Sequence, residues 1–335
     1  MQTRHTHKYA TALTITTNVL FLLLVSYLYF STGDNGLTLS QLLGSDSISD
    51  VQRVIAIEIR LPRLLAAVAA GAILAHSGVI MQSLFRNPMV EPYTMGISGG
   101  AVCGVALAFI LGLVAAFGSW ALVLAAAAGA VLSVLLVLIL RRAVGFDINA
   151  TLLCGIMISF IASAVTTVLL SLDTHENMTQ VVAWTIGSFD NVNPHLARPL
   201  AVISLLLVVL SPFIGNMLNV LSLGDDEARS VGLDVNKVSI TFFILSSVLS
   251  SFVVAVSGVI AFVGMVVPHI ATYFYGSDRR ITLSGAALLG ALILSATDLL
   301  AKTIIAPREL PVGALTAVVG GICFIILAVR WRKME

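Results

Sequence analysis

The residues of this chain that could carry out chemistry are few and stand far apart. Asp298 is the only carboxylate well inside a long apolar stretch, and we expect His76 and His269 to be its nearest ionisable companions. A carrier driven by protons or sodium ions usually needs pairs of titratable groups near the middle of the membrane. One aspartate is a thin basis for such a carrier, so we expect the energy to enter through another subunit.

Motifs for nucleotide hydrolysis and for other catalysis are missing from the sequence. It contains no GxxxxGK[ST] loop to hold the phosphates of a nucleotide, no HExxH pair and no nucleophile elbow. Cys103, Cys154 and Cys323 lie within apolar runs and lack the spacing of a metal site, so we predict neither a metal nor a cofactor. We therefore expect a protein that is not an enzyme, and the absence of any signalling element disfavours a receptor.

The composition places most of the chain in lipid. Of the 335 residues, 58% are hydrophobic and 10% are charged, and the mean hydropathy is +1.03. A water-soluble domain needs about 25% charged residues to cover its surface. We therefore predict an all-α polytopic membrane protein that forms one domain over residues 1–335.

Polar breaks divide the chain into ten predicted membrane spans, because a spanning helix needs about 20 mainly apolar residues. The predicted spans are 9–31, 63–84, 93–114, 119–140, 150–171, 196–218, 238–257, 259–275, 283–304 and 312–330. The first apolar run is too long for a signal peptide, so we expect it to be a retained helix.

The distribution of Lys and Arg predicts the orientation of the spans. Of the 18 basic residues, 12 fall on the cytoplasmic side if the N-terminus is inside, and 6 fall outside. The cytoplasmic group is Arg4, Lys8, Arg86, Arg141, Arg142, Arg229, Lys237, Arg279, Arg280, Arg330, Arg332 and Lys333, and the outer group is Arg53, Arg60, Arg63, Arg198, Lys302 and Arg308. Both termini are predicted to be cytoplasmic. Two longer segments, 32–62 and 172–195, then face outward, and the second contains a predicted short helix around Trp184.

A charged loop, LGDDEARSVGLDVNK at 223–237, lies between two long spans on the predicted cytoplasmic side. A run of charges is usually solvated loop. Its residues also favour a short helix, which could dock into a cytoplasmic partner subunit. Both interpretations stay open from the residues alone.

Five sequence blocks carry a resemblance to a known family. They are IRLPRLLAAVAAGAILAHSGVIMQSLFRNPMVEPYTMGISGGA at 59–101, WTIGSF at 184–189, GDDEARSVGLDV at 224–235, SGVIAFVGMVVPHIA at 257–271 and DLLAKTIIAPRELPVGALTAVVGG at 298–321. In this order they resemble the FecCD-type permeases of ABC importers. Members of that family serve iron-siderophores, haem, cobalamin and, in some cases, oxoanions such as molybdate.

The resemblance implies a ten-helix permease of a bacterial or archaeal inner membrane, with spans 2–5 and 7–10 related as an inverted repeat. It also implies a second copy of the chain around one path, two cytoplasmic ATP-binding subunits, and a periplasmic or lipid-anchored substrate-binding protein, with no nucleic acid. An iron-siderophore is the first choice of cargo. A secondary active transporter or a channel is the alternative, which the charged loop and the scarcity of buried acids disfavour.

The resemblance further implies roles for individual residues. Docking of the binding protein maps onto Arg60, Arg63 and Lys302, with Arg308 as a supplement; plain interfacial anchors are the alternative. Coupling to the ATPase maps onto Gly224, Asp225, Asp226, Glu227, Ala228, Arg229, Ser230 and Gly232, and the last four of these are expected to lie nearest the ATPase. The cytoplasmic gate maps onto Ile148, Asn149 and Thr151, although Asn149 is equally suited to cap a helix. His76 departs from the family's small residue: it either lines the path, where it would favour haem or another metal chelate, or is buried and bonded to a neighbouring helix.

Overall fold

The structure is a computed structural model that describes residues 2–331 except 34, 45, 145–147, 173–174 and 191. Ten helices correspond to the ten predicted spans. They are α1 (Gln2–Ser31), α4 (Leu61–Phe85), α5 (Ile97–Ile110), α7 (Ser119–Ala143), α8 (Ile148–Ser171), α10 (Pro194–Leu223), α12 (Val235–Ser257), α13 (Val263–Tyr275), α14 (Arg279–Thr303) and α15 (Val312–Trp331). The predicted cytoplasmic residues Arg332 and Lys333 lie outside the described residues.

Five shorter helices connect these elements: α2 (Leu39–Leu42), α3 (Asp50–Val54), α6 (Leu113–Phe117), α9 (His175–Thr185) and α11 (Asp225–Ser230). A π-helical turn, Ile55–Arg60, joins α3 to α4 without a break. Helix α9 contains Trp184, so the short helix predicted there is present. Among the described residues, seven helices are long and apolar enough to cross a membrane, and α5, α13 and α15 are the shorter ones.

Helix α4 forms the centre of the bundle and contacts α10, α12, α13 and α14. Its close packing depends on glycine. A Cβ atom added to Gly71 would overlap the carbonyl oxygen of Gly290 in α14, and one added to Gly78 would overlap the carbonyl oxygen of Gly264 in α13. Between helices that lie in lipid, such small residues let the backbones approach and gain dispersion contacts.

The helix contacts recur in matching pairs, as an inverted repeat requires. The contact of α4 with α14 corresponds to the contact of α12 with α7. In the same way, α5 packs on α7 and α8 in the first half, and α13 packs on α14 and α15 in the second half. Four spans lie between the second and the seventh span, so these two run in opposite directions. The two halves of the repeat are therefore inverted relative to each other.

Helices α5 and α13 both begin late, after a non-helical segment. Gly96 precedes α5 with φ 84°, and Phe262 precedes α13 with φ 69°. The predicted third span, 93–114, is therefore wrong at both ends, because a 3₁₀ turn (Pro92–Met95) precedes α5 and the helix ends at Ile110. Non-helical backbone at this depth is tolerated when protein surrounds it. Here the two segments lie beside each other, since a Cβ on Gly264 would lie 3.1 Å from Cδ of Pro92.

Candidate functional site

Helix α11 forms from the charged loop and exposes most of its polar residues. Gly224 precedes it with φ 138°, a backbone conformation that favours glycine. Asp226 is almost fully exposed, with 97% of its side chain accessible, and Arg229 lies one turn later. The methyl group of Ala228 is fully buried instead, and its carbonyl accepts a hydrogen bond from Leu233 N at 3.0 Å. The side chain of Ala228 therefore anchors α11 to the bundle. That Ala228 lies near the ATPase stays a prediction.

Two exposed apolar residues flank α11 and were not among the predicted site residues. Leu223 is 72% exposed and Val231 is 70% exposed. Together with Glu227, Ser230 and Gly232, which are also exposed, they surround the charged face of the helix. The sequence did contain a signal for them. Both are apolar residues in a charged loop beyond the ends of the spans, where no lipid would cover them.

Arg86 joins the end of α4 to the start of α11. Its guanidinium forms a salt bridge with Asp225 and donates a hydrogen bond to the carbonyl of Leu221 at 3.2 Å. Arg86 also has a left-handed backbone, with φ 46°, as the residue that ends α4. From the sequence Arg86 was only one of the cytoplasmic charges, so this contact was missed.

A small cavity of about 50 Å³ lies beside this salt bridge. Its lining includes Arg86, Asp225, Arg141 and Thr151. Two residues with separate predicted roles, Asp225 in coupling and Thr151 in gating, therefore line one cavity on the predicted cytoplasmic side.

The start of α8 holds the predicted gate residues. The helix begins at Ile148, so Asn149 lies within the first turn, and its alternative assignment as the helix N-cap is wrong. Asn149 is exposed, whereas Thr151 is 1% exposed. Of these two residues, Thr151 lines the cavity. The side chain of Ile148 lies outside the described part of the chain.

His76 does not line an open path. Its side chain is 0% exposed, because α4 is surrounded by other helices. Neither ring nitrogen has a hydrogen-bond partner in the described part of the chain. Both predictions for His76 are therefore corrected: it is a buried packing residue, without the expected bond to a neighbouring helix.

On the predicted outer side, five residues form a cluster that we call the outer ionic cluster: Tyr29, Arg63, Asp190, Asp298 and Glu309. Arg63 contacts Asp298 at 2.9 Å, Asp190 at 2.9 Å and Glu309 at 2.6 Å. The hydroxyl of Tyr29 donates a hydrogen bond to Oδ2 of Asp298. The prediction that His76 and His269 are the nearest ionisable companions of Asp298 is therefore wrong. His269 instead contacts the carbonyl oxygen of Pro88 at 3.0 Å, and His76 has no hydrogen-bond partner among the described residues.

The outer ionic cluster changes the assignment of the docking residues. Arg63 is 8% exposed and its charge is neutralised within the chain, so it offers no free charge to a partner. Arg60 is 7% exposed and donates a hydrogen bond to the carbonyl of Phe30. Lys302 is partly buried, with its ammonium 4.7 Å from the ring centre of Tyr29. Only Arg308 among the four is exposed.

Two carboxyl groups of the cluster border an outer cavity of about 520 Å³. Asp190 and Glu309 line it together with Trp184, and their side chains are 41% and 35% exposed. Burial, followed by the hydrogen bond with Asp190, raises the pKa of Glu309 above its usual range. The cavity therefore has a polar rim that carries two carboxyl groups.

Comparison with known proteins gives the family. The family model of the FecCD transport family matches residues 19–330. The chain belongs to the FecCD transport family. It is 36% identical over 319 residues to the hemin transport system permease protein HmuU of Yersinia pestis, covering 94% of this chain and 96% of that protein. It is 35% identical over 280 residues to a protein of Helicobacter pylori described as a probable iron chelatin transport system permease, covering 83% of each.

A solved structure is also similar to this FecCD-family chain over almost its whole length. It is the inward-facing conformation of a metal-chelate type ABC transporter, with a TM-score of 0.84 and 28% sequence identity. The superposition covers 94% of this chain and 98% of that chain. The present chain is thus a transport subunit with the fold of an ABC transporter permease.

The sequence blocks typical of the FecCD family meet in space on the outer side as well. Within WTIGSF, Ser188 N donates to the carbonyl of Ser257 at 2.9 Å, and Gly313 N donates to the carbonyl of Gly187 at 3.2 Å. A Cβ on Gly313 would overlap the carbonyl of Ile186, so this junction needs glycine. Three blocks far apart in sequence therefore form one outer joint above α13.

Proposed function

We propose that this chain is the permease subunit of a binding-protein-dependent ABC importer for metal-chelate compounds. Two copies would enclose one translocation path and bind two cytoplasmic ATP-binding subunits. The observation that carries the proposal is α11: a helix with exposed charges at Asp226 and Arg229 and exposed apolar neighbours, in a sequence without a P-loop. Such a surface fits a partner that supplies ATP hydrolysis.

The second copy of the chain is supported by α8. Only 17% of its most apolar stretch is buried within one chain, so most of this helix is left uncovered. The helix starts beside the cavity that Thr151 lines. A subunit interface along α8 would place Thr151 and the cavity beside it close to a central path. The alternative function, a secondary active transporter or channel, has no comparable support. Asp298, the one fully buried carboxylate among the described residues, is neutralised by Arg63.

An iron chelate of the siderophore type is the first candidate cargo. Its support is the relation to a permease described as serving an iron chelatin. Haem is the second candidate, supported by the hemin permease that is 36% identical over nearly all of this chain. Cobalamin is the third candidate, supported by a vitamin B12 import system permease of Salmonella paratyphi A that is 35% identical over 279 residues. Oxoanions such as molybdate follow from the family resemblance alone.

Docking of the substrate-binding protein is proposed for the outer side, at Arg308 with Lys302 beside it. Arg308 is exposed, and opposite charges on a partner would steer its approach. Arg60 and Arg63 would act through the shape of this surface, since both side chains are committed to contacts within the chain.

The test is reconstitution in proteoliposomes with the ATP-binding subunit and binding protein encoded beside it. We expect ATP-dependent uptake of a ferric siderophore or of haem, with no uptake when either partner is omitted. Deleting residues 225–230 should abolish binding of the ATP-binding subunit while leaving the chain inserted in the membrane. Uptake at the normal rate after this deletion would show that α11 is only a connector.

A further inference from the structure

The backbone conformation of Arg86 is not explained by what its salt bridge contributes to stability. Its salt bridge with Asp225 is partly exposed, with 44% and 41% of the two side chains accessible. Exposed pairs of this kind add little to stability. Nevertheless Arg86 has a left-handed backbone, with φ 46°, which is unusual for a residue other than glycine. The chain accepts this conformation in order to turn sharply at the end of α4.

The turn sends residues 87–95 back into the membrane alongside α13; we call these residues the re-entrant segment. Asn87 closes the turn, since its side-chain oxygen accepts a hydrogen bond from Met89 N at 2.9 Å. The carbonyl oxygen of Pro88 then contacts Nε2 of His269 at 3.0 Å. One turn before the end of α4, Nε2 of Gln82 donates to the carbonyl of Met265 at 3.0 Å. Both sides of the turn are therefore tied to α13.

The re-entrant segment reaches the start of α13. The carboxyl group of Glu91 accepts a hydrogen bond from the backbone N–H of Phe262, the residue before α13. Gly264 in the first turn is tightly packed, because a Cβ there would lie 3.1 Å from Cδ of Pro92 and 3.2 Å from the carbonyl oxygen of Leu74. The segment and α13 are thus in contact from the cytoplasmic end to the point where the helix begins.

Beyond Phe262 the contacts continue to the outer joint. A Cβ on Gly187 would overlap the carbonyl oxygen of Val259, and one on Gly258 would overlap that of Trp184. Residues 258–262 therefore connect the start of α13 to WTIGSF on the outer side. Packed and hydrogen-bonded backbone therefore connects Arg86, through the re-entrant segment and residues 258–262, to the outer joint.

We propose that Arg86 is the positioning residue that transmits movement of α11 to α13 through the re-entrant segment. The inference rests on the proposed function, in which an ATP-binding subunit moves α11. Asp225 is the residue of α11 that receives this link, whereas the neighbouring Asp226 points into solvent and contacts Arg229 only at 4.0 Å. Thr151 lines the same small cavity, so the start of α8 moves with the link.

The test is a charge-swap experiment on the reconstituted complex with its ATP-binding subunit, with a ferric siderophore and haem as the transport probes. Arg86→Glu should leave the ATP-binding subunit bound and hydrolysing ATP, while transport per ATP falls about tenfold. Asp225→Arg should also lower transport per ATP. The double variant Arg86→Glu/Asp225→Arg restores the pair with reversed charges and should recover most of the transport. The matched control, Arg86→Glu/Asp226→Arg, carries the same total charge and should not recover it.

The outcomes separate this inference from the proposed function. A wild-type chain that binds no ATP-binding subunit overturns the proposed function and, with it, the link. A wild-type complex that transports normally, together with single variants that transport equally well, overturns the link alone. Equal recovery in the double variant and in its control would do the same. If the charge reversals prevent folding, the neutral variants Arg86→Gln and Asp225→Asn take their place: non-additive losses of transport per ATP support the link, and additive losses overturn it.

Discussion

The guanidinium of Arg63 donates two hydrogen bonds to the carboxylate of Asp298, from Nε at 3.0 Å and from Nη2 at 2.9 Å. This bidentate pair joins the start of α4 to the outer end of α14, across the interface where Gly71 faces Gly290. Asp298 is 0% exposed, so its charge depends on Arg63 and on the hydroxyl of Tyr29. The family's basic position at Arg63 therefore stabilises the bundle from within.

Replacing Asp298 with Asn should destabilise the protein strongly. Removing one partner of a buried pair leaves the other charge uncompensated, which costs about 3–5 kcal/mol. The measurement is thermal or denaturant unfolding of the detergent-solubilised protein. Asp226→Asn is the control, since its side chain is 97% exposed. Equal stability of the two variants would mean that the Arg63 charge is stabilised by Asp190 and Glu309 alone.

Close packing at the centre of the bundle predicts a second effect on stability. Gly78→Ala should destabilise the protein by about 1–3 kcal/mol, the usual cost of overpacking, because the added methyl group overlaps the carbonyl oxygen of Gly264. Gly321→Ala is the matched control in a helix, since an added Cβ there meets nothing within 4 Å. Unfolding midpoints of the two variants give the comparison, and a stable Gly78→Ala protein would contradict the direct contact of α4 and α13.

Reversing Arg308 should weaken docking of the binding protein. One exposed ion pair is worth about 0.2–1 kcal/mol, so Arg308→Glu should lower binding-protein-stimulated ATPase activity about two- to fivefold at low salt. The effect should shrink as ionic strength rises. Arg308→Lys serves as the control that keeps the charge. Reversal of Arg60 and Arg63 would not be a suitable test, because Arg63→Glu would also break the buried pair with Asp298. Unchanged stimulation by Arg308→Glu at low salt would remove this residue from the docking surface.

The hydrogen bonds of Asp278 predict that the protein becomes less stable in acid. It precedes α14, where Arg280 Nη2 donates to its carboxylate at 2.6 Å and Asn219 Nδ2 at 2.8 Å. Hydrogen bonds from Arg280, chiefly, hold the pKa of Asp278 well below its ordinary value of 3.8. Since the folded-state pKa is the lower one, the stabilisation is present above pH 3.8 and is lost as the pH falls through the folded-state value.

Asp278→Asn tests this point through the pH dependence of the unfolding midpoint. The variant should keep part of the helix cap but show less decline in acid than the wild type does. Asp278→Ala loses the cap altogether and should be less stable by about 1 kcal/mol at neutral pH. Parallel pH profiles of wild type and Asp278→Asn would exclude Asp278 as a source of the acid sensitivity.

Labelling of introduced cysteines tests the predicted orientation. In a background without Cys103, Cys154 and Cys323, cysteines at Ser47 and Asn177 should react with impermeant thiol reagents in intact spheroplasts. The reason is the 12-to-6 distribution of Lys and Arg, which places both segments outside. Reaction only after permeabilisation would reverse the topology and place α11 on the outer side.

The sequence alone was sufficient for the positions of the membrane helices, because the thickness of the bilayer sets the length of each apolar run. All ten predicted spans have a helix, and the charged loop at 223–237 contains α11. The order of the five blocks was sufficient to identify the family. These properties are local, or follow from the order of local features along the chain.

The partners of individual residues were decided only by the tertiary structure. Arg63 and Asp298 are 235 residues apart, and Arg86 and Asp225 are 139 residues apart, so nothing in their surroundings along the chain pairs them. Arg63 therefore looked like a docking residue, and His76 looked like a candidate for the path. The late starts of α5 and α13 were missed for the same reason: apolar residues satisfy the length of a span, while the backbone of the non-helical segments is stabilised by other helices that pack around it.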